Sequence, residues 1–485
     1  MKYIINILSI LFLIIISCLI SGCKKLIEGP PPKTFLTSEN VYSDDATSAA
    51  VLTGLYAELS VSNPSLAATP NSIFLIAGLS ADELALYGGS ANQNKGLAQY
   101  YLNRLSSDLT LGTGVSVWND LYAHLYVVNL ALERLSASTN LTGAVKKQLI
   151  GEAKFLRGFF YFYLANLYGA VPLITSSDYR DNAFFPRTPA LQVYQQIIAD
   201  LKSEQDLLID GYAGADAKSP TIERVRPNKW AAAALLARAY LYTGAYDSAE
   251  LAATTVINNT ALYDTTPLAK VFLNNSKEAI WQLQPVNKGW NTEDARILVL
   301  PSTGPTSNTA SGNYPVYLNP GLISSFEPGD QRRLIWVDSV IVGADTFYYP
   351  YKYKSATLNA PVTEYMMVLR VSEQYLIRAE ARVQKNNISG AQSDLNRIRT
   401  RAGLKGTSAH DRDGLLAAIL EERRIEFFTE WGHRWLDIKR LGKADVIMPT
   451  AAMAKGTSWN LDWQWYPIPV YDIIQDPNIV QNPGY

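Results

Sequence analysis

The 485-residue chain carries 43 basic and 44 acidic side chains, a formal net charge of −1 at pH 7, so its balance does not attract polyanions and no nucleic acid is expected as a partner. Its two cysteines, Cys18 and Cys23, sit together near the N-terminus, which excludes a disulfide scaffold, a cysteine-rich zinc site and a thiol relay. With 48% hydrophobic and 18% charged residues, the remainder can bury a large core.

At the N-terminus, Lys2 precedes an apolar run from Tyr3 to Ile20, followed by Ser21, Gly22 and Cys23. This is the layout of a secretory signal. Ile20-Ser21-Gly22-Cys23 resembles a bacterial lipobox, which implies that residues 1–22 are removed and that Cys23 is lipidated. The competing reading is an uncleaved span, because the run approaches the roughly 20 residues that cross a bilayer. Acylation is favoured, since two or three chains, at about 0.8 kcal/mol per buried methylene, anchor a protein stably where one does not. Residues 24–34, KKLIEGPPPKT, lack apolar periodicity and contain three consecutive prolines. They read as an extended spacer, with residues 35–485 as the folded body.

Helical signals begin at residue 43. Ser43 or Asp44 is the expected N-cap, with Val51, Leu52, Leu55 and Leu59 on one face. Trp118–Leu135 and Val145–Tyr168 follow, the latter closed by Gly169 and Pro172, and then Leu191–Leu208 after Pro189. The sequence LLARAYLYTGAYDSAE places Leu236, Ala237, Tyr240, Gly244, Tyr246 and Ala249 where a tetratricopeptide-like helix pair needs them. Small residues let the helices cross closely, an aromatic fills the gap, and glycine makes the turn. Ala379 and Ala391 repeat the same spacing with Asn386 in place of the glycine. Leu156, Gly158 and Tyr161 match only a first helix. The expected class is therefore mostly α, built from helix-pair repeats with a few short strands. Residues 284–320 are dense in Gly, Pro, Ser, Thr and Asn, and "LIWVDSVIV" with "DTFYYPYKY" suggests a hairpin. A loop-rich subdomain is thus placed at roughly 284–360.

The chain contains no His-Glu-x-x-His, no Gly-x-Ser-x-Gly, no phosphate loop and no dinucleotide fingerprint. No cofactor is expected. Asp82 with Glu83, and Asp44 with Asp45, lack the ligand spacing of a calcium loop, so no metal is assigned. His124 reads as a core residue and His410 has no obvious partner. The densest motif, EERRIEFFTEWGHRWLDIKRLG at 421–442, interleaves charges with rings. A catalytic reading would pair Glu426 or Glu430 with His433, but arginines beside acids and aromatics more often lock helices together.

That motif, together with AEARVQKNNISGAQSDLNRIRTRAG (379–403), FYLANLYGAVPLI (162–174) and WYPIPVYDIIQDPNIVQNPGY (465–485), resembles the SusD/RagB family of outer-membrane nutrient-binding lipoproteins. Asp476 departs from the Asn often found there in the family, and the loops at 284–320 match nothing in particular. The resemblance implies tetratricopeptide-like helices backing a ligand-binding subdomain. It implies capture of an oligosaccharide, or a peptide in some members, without catalysis, and delivery to a SusC-like TonB-dependent transporter at the cell surface. A sugar needs a ring platform flanked by polar groups. Two stretches offer this: Tyr87, Asn92, Gln93 and Asn94 around Gly88-Gly89, and Trp290, Asn291, Arg296, Tyr314 and Tyr317. Trp118, Trp230 and Trp281 read as core, and Trp459, Trp463 and Trp465 as packing. Two rivals remain. A glycosidase would use a carboxylate pair from Asp82, Glu83, Glu293 and Asp294, and a helical-repeat adaptor would bind another protein without any small ligand.

Overall fold

The computed structural model describes residues 41–61, 73–107, 115–307 and 314–485. The signal, Cys23 and the spacer lie outside the described residues. Helix α1 (Asp45–Ser60) starts where Asp44 accepts hydrogen bonds from Ala46 and Thr47 N–H, so the acid of the expected pair that caps is Asp44. After α2 (Ile73–Ser80), β1 (Leu84–Leu86) and α3 (Lys95–Leu102) come two long helices, α4 (Val115–Ala137) and α5 (Gly143–Tyr168), and then α6 (Ala190–Ser203). α6 ends before the expected Leu208. The carbonyl of Glu204 accepts from Leu207 and Leu208 N–H, and this turn folds Leu208 onto Gly151 of α5, where a Cβ would meet it at 2.7 Å.

Each helix packs on the next. α4 lies on α5, α5 on α6, and α6 on α7 (Lys229–Tyr242), which pairs with α8 (Tyr246–Ile257). The chain returns through α10 (Val371–Gln384) against α8, then α11 (Ile388–Arg401) and α12 (Arg412–Glu426). The resulting stack is mostly helical and repeat-like. Ala237, Ala249, Ala379 and Ala391 are each fully buried at the helix crossings, as the small-residue spacing requires. The two turns explain the asymmetry between the copies. Gly244 has φ 73° and Asn386 has φ 62°. Asparagine is among the few residues other than glycine that visit this left-handed region routinely.

Strands are short. β2 (Ala279–Leu283) pairs antiparallel with β6 (Met366–Arg370), with a register irregularity around Val368. Both strands are buried throughout. β3 (Val316–Leu318) pairs with β1. β4 (Val337–Val342) and β5 (Asp345–Pro350) form the expected hairpin through Gly343, at φ 63°. Helix α9 (Glu293–Leu298) lies between β2 and β3. The core is strongly aromatic. Trp281 meets Tyr56, Phe155 and Phe159 edge-on at 4.9 to 6.1 Å, and Trp118 is also buried. Trp230 differs from expectation: it is half-buried, its indole donating to Asp210 O at 2.9 Å. Trp465 lies against Gly169, and Trp459 donates to Asp445.

The 421–442 motif forms the electrostatic centre of this core. Glu426 is fully buried and accepts from three guanidinium groups: Arg370 at 2.5 Å, Arg332 at 2.9 Å, and Arg401. Burial alone would raise its carboxyl, but the charges of Arg401, Arg370 and Arg332 hold it well below the usual carboxylate range. Arg423 is bonded to Asp437 at 2.6 Å, and Arg440 links Asp437 to Glu380. His433 is buried against Phe427 and Arg423. Burial and the surrounding arginines push its pKa well down, so it stays neutral. The structural reading of the motif thus fits its geometry. Replacing Glu426→Gln leaves three buried guanidinium groups around a neutral amide. The expected cost is about 3–5 kcal/mol, read as a lower urea midpoint with an unchanged slope.

Candidate functional site

The pairing of β1 with β3 sets Ala85 opposite Tyr317 and Leu86 opposite Val316. Tyr87 continues this ladder, its N–H donating to Pro315 O at 2.9 Å. Alternation along β5 then delivers a third ring. Phe347 lies edge-on to Tyr87 with centroids 5.6 Å apart, and edge-on to Tyr317 at 5.1 Å. Tyr87 is 37% exposed, while Tyr317 and Phe347 are half-buried. Neither tyrosine hydroxyl has a hydrogen-bond partner among the described residues. The cluster therefore presents flat apolar faces beside free hydroxyls, which suits a ligand with C–H faces and hydroxyl rims.

Two loops frame the rings. After Tyr87 the chain turns through Gly88 and Gly89, at φ 78° and 52°. Ser307 approaches Gly88, and Gly304 sits so close to the hairpin that a Cβ there would meet Val342 at 2.7 Å. Tyr314 occupies the left-handed region at φ 64°. Its N–H donates to Ile297 O and its carbonyl accepts from Thr306 N–H. It is half-buried, and its backbone ties Thr306 to Ile297 of α9.

Several expected ligand groups are otherwise engaged. Asn92 is 1% exposed; its amide donates to Tyr87 O at 2.6 Å and its oxygen accepts from Asn94 N–H. Asn94 in turn caps α3 by accepting from Leu97 N–H. Both asparagines shape the loop, and Asn92 is buried with both ends of its amide bonded to loop backbone. Asn291 is likewise buried: it donates to Ser355 and Pro361 O and accepts from Thr363 and Glu364 N–H. A short polar side chain satisfies turn backbone before it reaches outward. Arg296 donates to Glu293 at 2.9 Å. Trp290 is half-buried on a turn whose neighbours are Leu358 and Asn359, so its turn faces the 355–364 segment. Phe347 was missed by sequence reading. Its signal was available: the period-two pattern of DTFYYP puts Phe347 and Tyr349 on the same side of the strand.

The four carboxylates of the glycosidase reading are also accounted for. Asp82 accepts from Arg434 at 2.8 and 2.9 Å and pairs with Arg424 at 3.0 Å. Burial would raise its carboxyl, but these guanidinium groups bring it down to about 2. Glu293 is held by Arg296 and Asn287. Glu83 and Asp294 are fully buried, each with one oxygen unpartnered, and burial raises them to about 8 and about 7. Among the described residues no group of three or more His, Cys, Asp or Glu is placed to hold a metal ion.

Both walls of the ring cluster are pinned by one stretch of core. Arg434 grips Asp82, two residues ahead of β1. Lys455 Nζ donates to Leu79 O and Ala81 O, closing the end of α2. On the other wall Lys352, two residues past β5, donates to Glu426 O at 2.8 Å, Phe428 O at 2.9 Å and Glu430 at 2.5 Å.

Stacked helix pairs behind a loop-borne face define a helical-repeat scaffold. Two family descriptions match the chain: "Starch-binding associating with outer membrane" over residues 82–241, and the SusD family over residues 339–485. The chain belongs to the SusD/RagB family. SusD-like protein P2 of Formosa agariphila is 26% identical, over 98% of this chain and 99% of its own length. A SusD superfamily protein from Bacteroides vulgatus has the same fold, with TM-score 0.76 and 20% identity over 91% of this chain and 99% of its own. A laminarin binding SusD-like protein (TM-score 0.73, 23% identity, 90% and 99% covered) and surface glycan-binding protein A from Bacteroides uniformis (0.74, 21%, 90% and 99%) are similar in fold.

The buried Glu83 gives a pH prediction. In the unfolded chain it ionises near 4.5, whereas in the fold it keeps its proton up to about 8. The folded state therefore binds the extra proton between these values, and stability falls as pH rises through them. Glu83→Gln removes that loss. Its melting temperature should exceed that of the parent by a margin that widens from pH 5 to pH 8.

Proposed function

We propose that the protein captures an oligosaccharide on the Tyr87–Tyr317–Phe347 cluster and passes it, uncleaved, to a SusC-like TonB-dependent transporter. The observation that carries the reading is the β1–β3 pairing, which brings two tyrosines distant in sequence against one phenylalanine at the protein surface. A sugar ring laid on such faces gains apolar contact, while the free tyrosine hydroxyls and the 88–94 and 304–307 loops supply hydrogen bonds. The laminarin-binding and glycan-binding relatives in fold support a carbohydrate as the cargo. Trp290 and Tyr314 are assigned to the borders of this face. In the same reading Cys23 carries the lipid, the proline-rich spacer holds the body off the outer membrane at the cell surface, and no covalent step is performed.

The test is calorimetry of residues 24–485 against plant, host and microbial glycans, with peptides alongside. A glycan should bind saturably without release of reducing ends. Tyr87→Ala and Phe347→Ala should each weaken it about tenfold, the loss of a ring contact of roughly 1–2 kcal/mol, with melting temperature little changed. Binding of peptides alone would move the cargo to the peptide class, and full affinity in both variants would remove the cluster from the site. Cys23→Ala in the full chain should shift the protein from the membrane to the soluble fraction on cell fractionation.

A further inference from the structure

On another part of the molecule, an open groove of about 860 Å³ lies between α10, α11 and the segment 265–267. Its wall carries three arginines, Arg378, Arg397 and Arg401, against one carboxylate, Asp394. That carboxylate is already taken: Asp394 accepts from Arg378 at 2.7 and 2.9 Å and from Arg382 at 2.8 Å. Arg397 is different. Its side chain is 49% exposed and only Nη2 is engaged, with Asp264 at 2.9 Å, so Nε and Nη1 remain as donors. At the inner end, Arg401 is anchored through both terminal nitrogens to Glu278 and Glu426, yet its Nε has no partner, and neither has the buried hydroxyl of Thr266. Tyr375 lines the groove half-buried, its ring 5.5 Å from the Arg378 guanidinium and its hydroxyl unbonded among the described residues.

Each arginine of the groove already has a carboxylate partner, but the groove still offers unclaimed guanidinium N–H donors, one aromatic side chain, and the alcohols of Ser393 and Thr400. Guanidinium N–H groups left unclaimed favour a planar or tetrahedral oxyanion. Alcohols and a phenol beside them favour a hydroxylated ring, and the volume is of the size that takes a small ligand. We propose that this groove is a second binding site, for an acidic sugar unit of an oligosaccharide, with the carboxylate or sulfate on Arg397 and the ring beside Tyr375. The site sits on the helix-pair scaffold and does not depend on the reading given to the ring cluster.

The test is calorimetry of residues 24–485 with trigalacturonate, a sulfated galactose trisaccharide, maltotriose and sodium sulfate. At least one of the two acidic trisaccharides should bind, more weakly as salt is raised. Its affinity should fall about tenfold in Arg397→Gln, a half-exposed position whose replacement leaves the fold intact, and measurably in Tyr375→Phe, while Tyr87→Ala leaves it unchanged. Failure of both acidic sugars to bind overturns the proposal, as does full affinity in Arg397→Gln. Sodium sulfate binding as tightly as the trisaccharides also overturns it, reducing the groove to a general anion patch. None of these outcomes bears on maltotriose or other neutral glycans at the ring cluster, so the two sites stand or fall separately.

Discussion

The carboxylate of Glu426 is the interaction on which the rest of the structure depends. It gathers Arg332 from the short helix Gln331–Ile335, Arg370 from the junction of β6 and α10, and Arg401 from the end of α11. Three charges in a dry interior are costly to bury, and the geometry compensates only because each guanidinium also finds a second acceptor. Arg370 reaches Glu430, and Arg332 reaches Asp330 and Glu422. The chain can enclose these groups only in one mutual arrangement, and so the helical stack and the loop-bearing part are fixed to each other.

The same segment governs the surface. Lys352 is drawn to the carbonyls of Glu426 and Phe428, and Asp82 to Arg434, so the strands that carry Phe347 and Tyr87 start or end on core contacts. Burial lowers the Lys352 pKa to about 8 against the pull of Glu430. The rings themselves take no part in this network. Precision at the face comes from electrostatics beneath it.

Much of this was legible in the sequence. The alanine spacing of 237 and 249, repeated at 379 and 391, could be read because close helix crossings tolerate only small side chains. The charged motif could be read as a lock because arginine, acid and ring alternate within it. The hairpin at 337–350 followed from its period-two pattern. The ring cluster was legible only in part, since Tyr87 and Tyr317 were singled out separately and nothing local says that their strands pair. The backbone bonds of Asn92 and Asn291 were not legible for a related reason. An asparagine in a polar loop looks the same in sequence whether it faces a ligand or its own backbone, and the backbone is nearer.

The antiparallel union of β1 and β3 has a kinetic corollary. It joins segments remote along the chain, and such closures are entropically expensive and come slowly. A partly folded polypeptide can have its helical hairpins in place and still lack any cluster, because no two of the three rings are neighbours in sequence. The ring cluster is therefore acquired with the late, non-local contacts, and only chains that have completed them present it.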